Sequence, residues 1–197
     1  MIRKAYCKIL FCNSKIIYNL NMVKIAQKGN KVLHQKAEEV PIDEIKSVKI
    51  KNLVAKMKET LMTMDDGVAI AAPQICTPLK VFIALDDFLK QSPPSLSSGR
   101  SEKNGKKSAA KISVFINPKI IKKSAKKTLV HEGCLSVAGI FGYINRSDKV
   151  TLEAYDENGK KITRGASGLA AQIFQHEVDH LEGKLFTDNA INLKEIK

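Results

Sequence analysis

No stretch of this 197-residue chain approaches the roughly 18 consecutive apolar residues that a membrane-spanning helix needs, which argues against a membrane span. Its four cysteines, Cys7, Cys12, Cys76 and Cys134, are too scattered for a disulfide framework and fit a reducing compartment, so the expected location is cytoplasmic. No internal repeat is present, which excludes a solenoid. Histidine is scarce, with four in all, and acids are missing from residues 1–36, which carry eight Lys/Arg. What remains is ordinary for a globular protein: 44% apolar and 27% charged residues, in a length that suits one domain.

Two of the four histidines fall within Gln175-His176-Glu177-Val178-Asp179-His180-Leu181-Glu182-Gly183. Leu169, Ile173, Phe174 and Leu181 recur at helical steps, and Ser167 is the expected N-cap. On a helix, residues four apart share a side, so His176 and His180 can present two imidazoles to one metal ion. Glu177 then points off the metal axis, where it can take a proton from a water. Glu177 and Asp179 are charged residues among apolar ones, a costly arrangement unless they are paired or working.

A catalytic divalent ion usually takes three protein ligands. No histidine follows His180, which argues against the metzincin spacing. Upstream lies Val130-His131-Glu132-Gly133-Cys134-Leu135-Ser136-Val137, in which Cys134 is either a soft third ligand or a buried free thiol. A thiolate with two imidazoles suits Zn²⁺ and Fe²⁺ about equally.

A further stretch, Gly67-Val68-Ala69-Ile70-Ala71-Ala72-Pro73-Gln74, precedes both. The three motifs in this order resemble those of the peptide deformylase family, over roughly residues 22 to 190. The resemblance implies one divalent ion held by Cys134, His176 and His180, with Fe²⁺ in the cell and Zn²⁺, Ni²⁺ or Co²⁺ as substitutes. It implies hydrolysis of the formyl group from N-formyl-methionyl peptides. Glu177 would be the acid–base, and the Gln74 amide and the Leu135 N–H would hold the oxyanion. The Gly67-Val68-Ala69 segment and Gly133 would run along the substrate backbone, while Leu169 and Ile173 would line the methionine pocket. Two departures stand out. Ala69 replaces a family glycine, and its methyl is expected to narrow the cleft or shift the backbone. Ser136-Val137-Ala138-Gly139 lacks a proline common in the family.

Two competing readings are an H-E-x-x-H metallopeptidase and a non-catalytic, deformylase-like ribosome-binding protein. The first leaves the Cys134 and Gln74 motifs unexplained.

The remaining chain predicts an α+β fold, with antiparallel β-sheets around a long C-terminal helix carrying H-E-x-x-H and a core helix near the N-terminus. That core helix is expected over Val48 to Met64, capped by Asp43 or Ser47 and ended at Asp65-Asp66-Gly67. Strands are expected at Leu79 to Leu85, Val114 to Pro118, Leu129 to His131, Tyr143 to Asn145 and Val150 to Tyr155, with a hairpin turn at Asp156-Glu157-Asn158-Gly159. Residues 1–21 read as an N-terminal extension, either an organellar targeting segment or an upstream start. Residues 22–190 read as the catalytic domain, 91–111 as a flexible insertion and 191–197 as a tail. Charge is uneven: residues 1–36 carry +8 and 100–127 carry +9, so the rest of this +13 chain sums to −4. The basic loop reads either as a solvated lysine-rich surface or as a contact for an anionic partner such as the ribosome, in an otherwise monomeric protein.

Overall fold

The computed structural model describes residues 24–64, 66–90 and 111–195. Residues 1–21 and most of 91–111, the expected extension and insertion, lie outside them, as does Asp65.

Helix α1 spans Val48–Thr63. Ser47 caps it, its hydroxyl accepting from the Ile50 N–H at 3.3 Å, and Met64 ends it one residue before the predicted turn. Ile50, Leu53, Val54, Met57 and Leu61 repeat at three- and four-residue steps and are all buried. Val48 and Met62, also apolar, are exposed because they fall outside this stripe. We expect Ser47→Ala to destabilise the protein by about 1 kcal/mol; a shift in the denaturant midpoint at unchanged slope checks it.

The strands are β1 (Ala69–Ala71), β2 (Val81–Leu85), β3 (Ile112–Lys123), β4 (Lys127–Cys134), β5 (Val137–Ser147), β6 (Lys149–Tyr155), β7 (Lys161–Ser167) and β8 (Ile191–Glu195). All their pairings are antiparallel. They form a five-stranded sheet ordered β1-β2-β3-β6-β7 and a three-stranded sheet ordered β4-β5-β8. The fold is therefore α+β with antiparallel sheets. Helix α2 (Asp86–Leu89) follows β2, and helix α3 (Gly168–Leu181) follows β7.

Several strands run longer than predicted. Half of β3, Lys119 to Lys123, is lysine-rich and exposed, so its sequence reads as loop. It stays extended because its backbone pairs with β6, with bulges after Ile116 and Ile120. The expected tail is a strand: Ile191 to Glu195 pair with β5 while every side chain of β8 stays exposed, so no buried face marks it in the sequence. The β6–β7 hairpin turns where predicted. The Asp156 Oδ1 accepts from the Asn158 and Lys160 N–H groups, and Gly159 supplies φ +74°.

Phe82, Phe115 and Phe174 pack together, with ring centroids 4.6–6.0 Å apart, and seat α3 on the five-stranded sheet. Another cluster, including Leu33, Val137, Ile144, Leu185 and Phe186, packs beside the three-stranded sheet. α3 thus touches strands of both sheets. Its end is pinned at Gly183, where φ is +72° and a Cβ would lie 2.9 Å from the backbone of His34 and Gln35.

Candidate metal centre

Helix α3 places His176 and His180 one turn apart, with ring centroids 4.9 Å from each other. Ser167 occupies the N-cap position as predicted, but its side chain makes no capping bond. The helix is instead fixed by Gln175, which accepts from the Ser147 N–H and donates to the Ser147 carbonyl, at 2.9 and 3.0 Å.

β4 ends at Cys134, bringing the thiol to the helix from the other sheet. Its Sγ lies 3.2 Å from the His180 Nε2. The ligand atoms of Cys134, His176 and His180 all lie within 4.8 Å of one another.

Glu132 sets the tautomer of His176. Its carboxylate accepts from the Nδ1–H at 2.9 Å, which in the neutral imidazole leaves the Nε2 lone pair for a metal ion. The same carboxylate accepts from the Arg146 Nε and Nη2, at 2.8 and 2.9 Å, and Arg146 also pairs with Asp179. Burial alone raises the Glu132 pKa, but the bonds from His176 and Arg146 outweigh it and hold it at about 2. Burial also opposes charge on His176, yet its contacts with Cys134 and Glu132 raise its pKa well above the usual value. His180 is buried and shifts well below it.

Glu177 is 4% exposed, and its Oε2 is buried without a partner among the described residues. Burial, reinforced by the charge on Glu132 and opposed by that on His176, raises its pKa to about 7. An unpartnered buried carboxylate beside three clustered soft and borderline donors fits a divalent cation, whose charge would favour the ionised form.

Gln74 is held at both ends of its amide. Oε1 accepts from the Ala71 N–H at 2.8 Å, and Nε2 donates to the Ser136 Oγ at 3.1 Å and points toward the Cys134 Sγ at 3.7 Å. The Ser136 N–H also points at that sulfur, at 3.4 Å. Sequence reasoning gave Ser136 and Gln175 no role, although both sit inside the motifs.

A cavity of about 510 Å³ opens onto this cluster. Gly67, Val68, Ala69, Gln74, Gly133, Cys134, Leu135, Leu169, Ile173, His176 and Glu177 all line it; His180 lies behind. His131, Phe141 and Gln172 also line it and were not anticipated. Its walls come from the segment leading into β1, from β4 and from α3. A Cβ at Gly133 would lie 2.6 Å from the Phe141 ring, so any larger residue there would push that ring aside.

Ala69 does not distort this wall. It pairs with Ala84 as an ordinary strand residue, packs in the core, and is absent from the described non-glycine residues with positive φ.

The polypeptide deformylase family model matches residues 22–195. The chain belongs to that family. It is 37% identical over 169 residues to peptide deformylase 1A, chloroplastic, of Solanum lycopersicum, covering 85% of this chain and 59% of the relative. It thus spans less than two thirds of that plant relative's length. Peptide deformylase 2 of Clostridium acetobutylicum is 35% identical over 171 residues, covering 86% of this chain and 94% of the relative. Among solved structures, a class I type b peptide deformylase from Acinetobacter baumannii with Met-Ala-Ser bound superposes with a TM-score of 0.70. It is 29% identical and covers 86% of this chain and 98% of that one.

If Cys134 is a ligand, Cys134→Ser should lower bound metal well below one ion per chain while the fold survives. Metal analysis of purified protein, with circular dichroism as the folding control, checks this.

Proposed function

We propose that this chain hydrolyses the formyl group from the N-terminal formyl-methionine of newly made polypeptides, releasing formate. The observation that carries it is the Cys134–His176–His180 cluster beside the buried, unpartnered Glu177 carboxylate, at the base of a cavity lined by all three family motifs. The Met-Ala-Ser bound to the Acinetobacter relative supports a short methionyl peptide as the occupant.

In this reading Cys134, His176 and His180 hold one divalent ion, Fe²⁺ in the cell. When bound, the ion supplies a Lewis acid that makes water a stronger acid and polarises the formyl carbonyl. Glu177 takes the proton of the attacking water and delivers it to the leaving amine, as a general base and then a general acid. The Gln74 Nε2, already positioned by Ala71 and Ser136, and the Leu135 N–H stabilise the tetrahedral oxyanion. The backbones at Val68 and Gly133 pair with the peptide. Leu169, 37% exposed at the cavity, and buried Ile173 take the methionine side chain.

Residues 22–190 are the catalytic domain in this reading, acting as a monomer. Cytoplasmic and organellar locations both fit, since the tomato relative is named chloroplastic. No helix among the described residues is long and apolar enough to cross a membrane. The test is formate release from formyl-Met-Ala-Ser by protein loaded anaerobically with Fe²⁺ or Ni²⁺. Release blocked by a chelating hydroxamate supports the reading. No release from folded, metal-bearing protein overturns it.

A further inference from the structure

The net charge of +13 has no role in the proposed chemistry, and among the described residues no Lys or Arg lines the catalytic cavity. A separate cleft of about 620 Å³ lies between the end of α2, the bend joining β3 to β4, and the strands leading into α3. It shares no lining residue with the catalytic cavity.

Lys90, Lys122 and Lys149 line this cleft, all exposed, together with the hydroxyls of Ser124, Thr151 and Ser167. Among the described residues no acidic one lines it. Asp148, next in sequence to Lys149, is ion-paired with Lys126 and bonded by the Thr128 hydroxyl.

The frame that carries these lysines is ordered. Ser124 receives the Lys149 N–H on its Oγ at 3.1 Å and donates its own N–H to the Lys149 carbonyl at 2.9 Å, tying the β3–β4 bend to β6. Arg164 donates to the Leu89 carbonyl at 3.3 Å, fixing the end of α2 beside β7. Lys123 and Lys127 stand exposed on the same bend.

We propose that this cleft is a docking surface for an RNA strand, held through its phosphates by Lys90, Lys122 and Lys149. Concavity favours a strand over a bilayer, because a chain of phosphates enters a cleft while a flat membrane touches only its rim. Ammonium groups with neighbouring hydroxyls are phosphate partners, and among the described residues no aromatic side chain lines the cleft for bases to stack on. Binding therefore reads the backbone and tolerates any sequence. Because the two cavities are separate, RNA held here leaves the catalytic one open.

The experiment measures fluorescence anisotropy of a labelled oligouridylate with the full chain across a salt series. Lys90→Gln/Lys122→Gln/Lys149→Gln is compared with Lys49→Gln/Lys51→Gln/Lys56→Gln, an equal charge loss on the exposed face of α1. The cleft variant should lose affinity on the order of tenfold and flatten the log–log salt slope by about 2, with about 0.7 per phosphate contact on a single strand. The α1 variant should bind as the parent does. Equal losses in both variants would reduce the effect to net charge and overturn the proposal. So would absent RNA binding alongside binding to phosphatidylserine vesicles. Thermal melting confirms folding, and the assay needs no turnover, so its outcome is independent of the proposed hydrolysis.

Discussion

Glu177→Ala keeps its metal and loses formate release by a factor on the order of 10²–10⁴, the usual contribution of a positioned acid–base group. Glu177 lies next to His176 in sequence yet offers no atom to the three-donor cluster, so removing it leaves the donors in place. Its burial supports the same role: a carboxyl raised to about 7 without metal is a stronger base than an exposed one, and a nearby cation draws it toward the ionised form. Metal analysis and formate release on one preparation check both halves. Retained turnover would remove Glu177 from the chemistry, while lost metal would make it a ligand.

Arg146→Met is expected to destabilise the protein by about 3–5 kcal/mol, because it strands a buried carboxylate. Arg146 is 7% exposed and Glu132 4%, and Asp179 loses its partner in the same stroke. Chemical denaturation of the metal-free protein measures this. The same network sets an acid limit. The Glu132 pKa is about 2 in the folded chain against an ordinary 4.5, so its contribution is present above pH 4.5 and fades as pH falls toward 2. In Arg146→Met much of that acid sensitivity should vanish along with the stability. A variant as stable as its parent would show the network to be dispensable.

Much of the site was legible because its chemistry is local in sequence. His176, Glu177 and His180 need only helical spacing, and α3 supplies it. Cys134 was ambiguous on its residues alone, since the pairing of thiol and helix depends on two sheets meeting. That Arg146 holds Glu132, and Glu132 holds His176, depends on the register of β4 against β5, which neither sequence stretch contains. β8 left no trace because a strand exposed on all its side chains has no buried period to read. Ala69 was expected to disturb the cleft. The backbone there is ordinary strand, so no shift is needed, and Ala69 packs with the core while still lining the cavity.

β1 ends one sheet and β4 ends the other, and both border the catalytic cavity. Among the described residues neither outer edge pairs with a further strand, although side chains already meet part of each: Gln74 accepts from the Ala71 N–H and Gln172 donates to the His131 carbonyl. A ligand that met the remaining groups through its own main chain would be accepted with little regard to its side chains, as the proposed reaction on many different polypeptides would require. Such a ligand would also become a strand joining two separate sheets, so gripping the chain end and stiffening the protein around it would be one event.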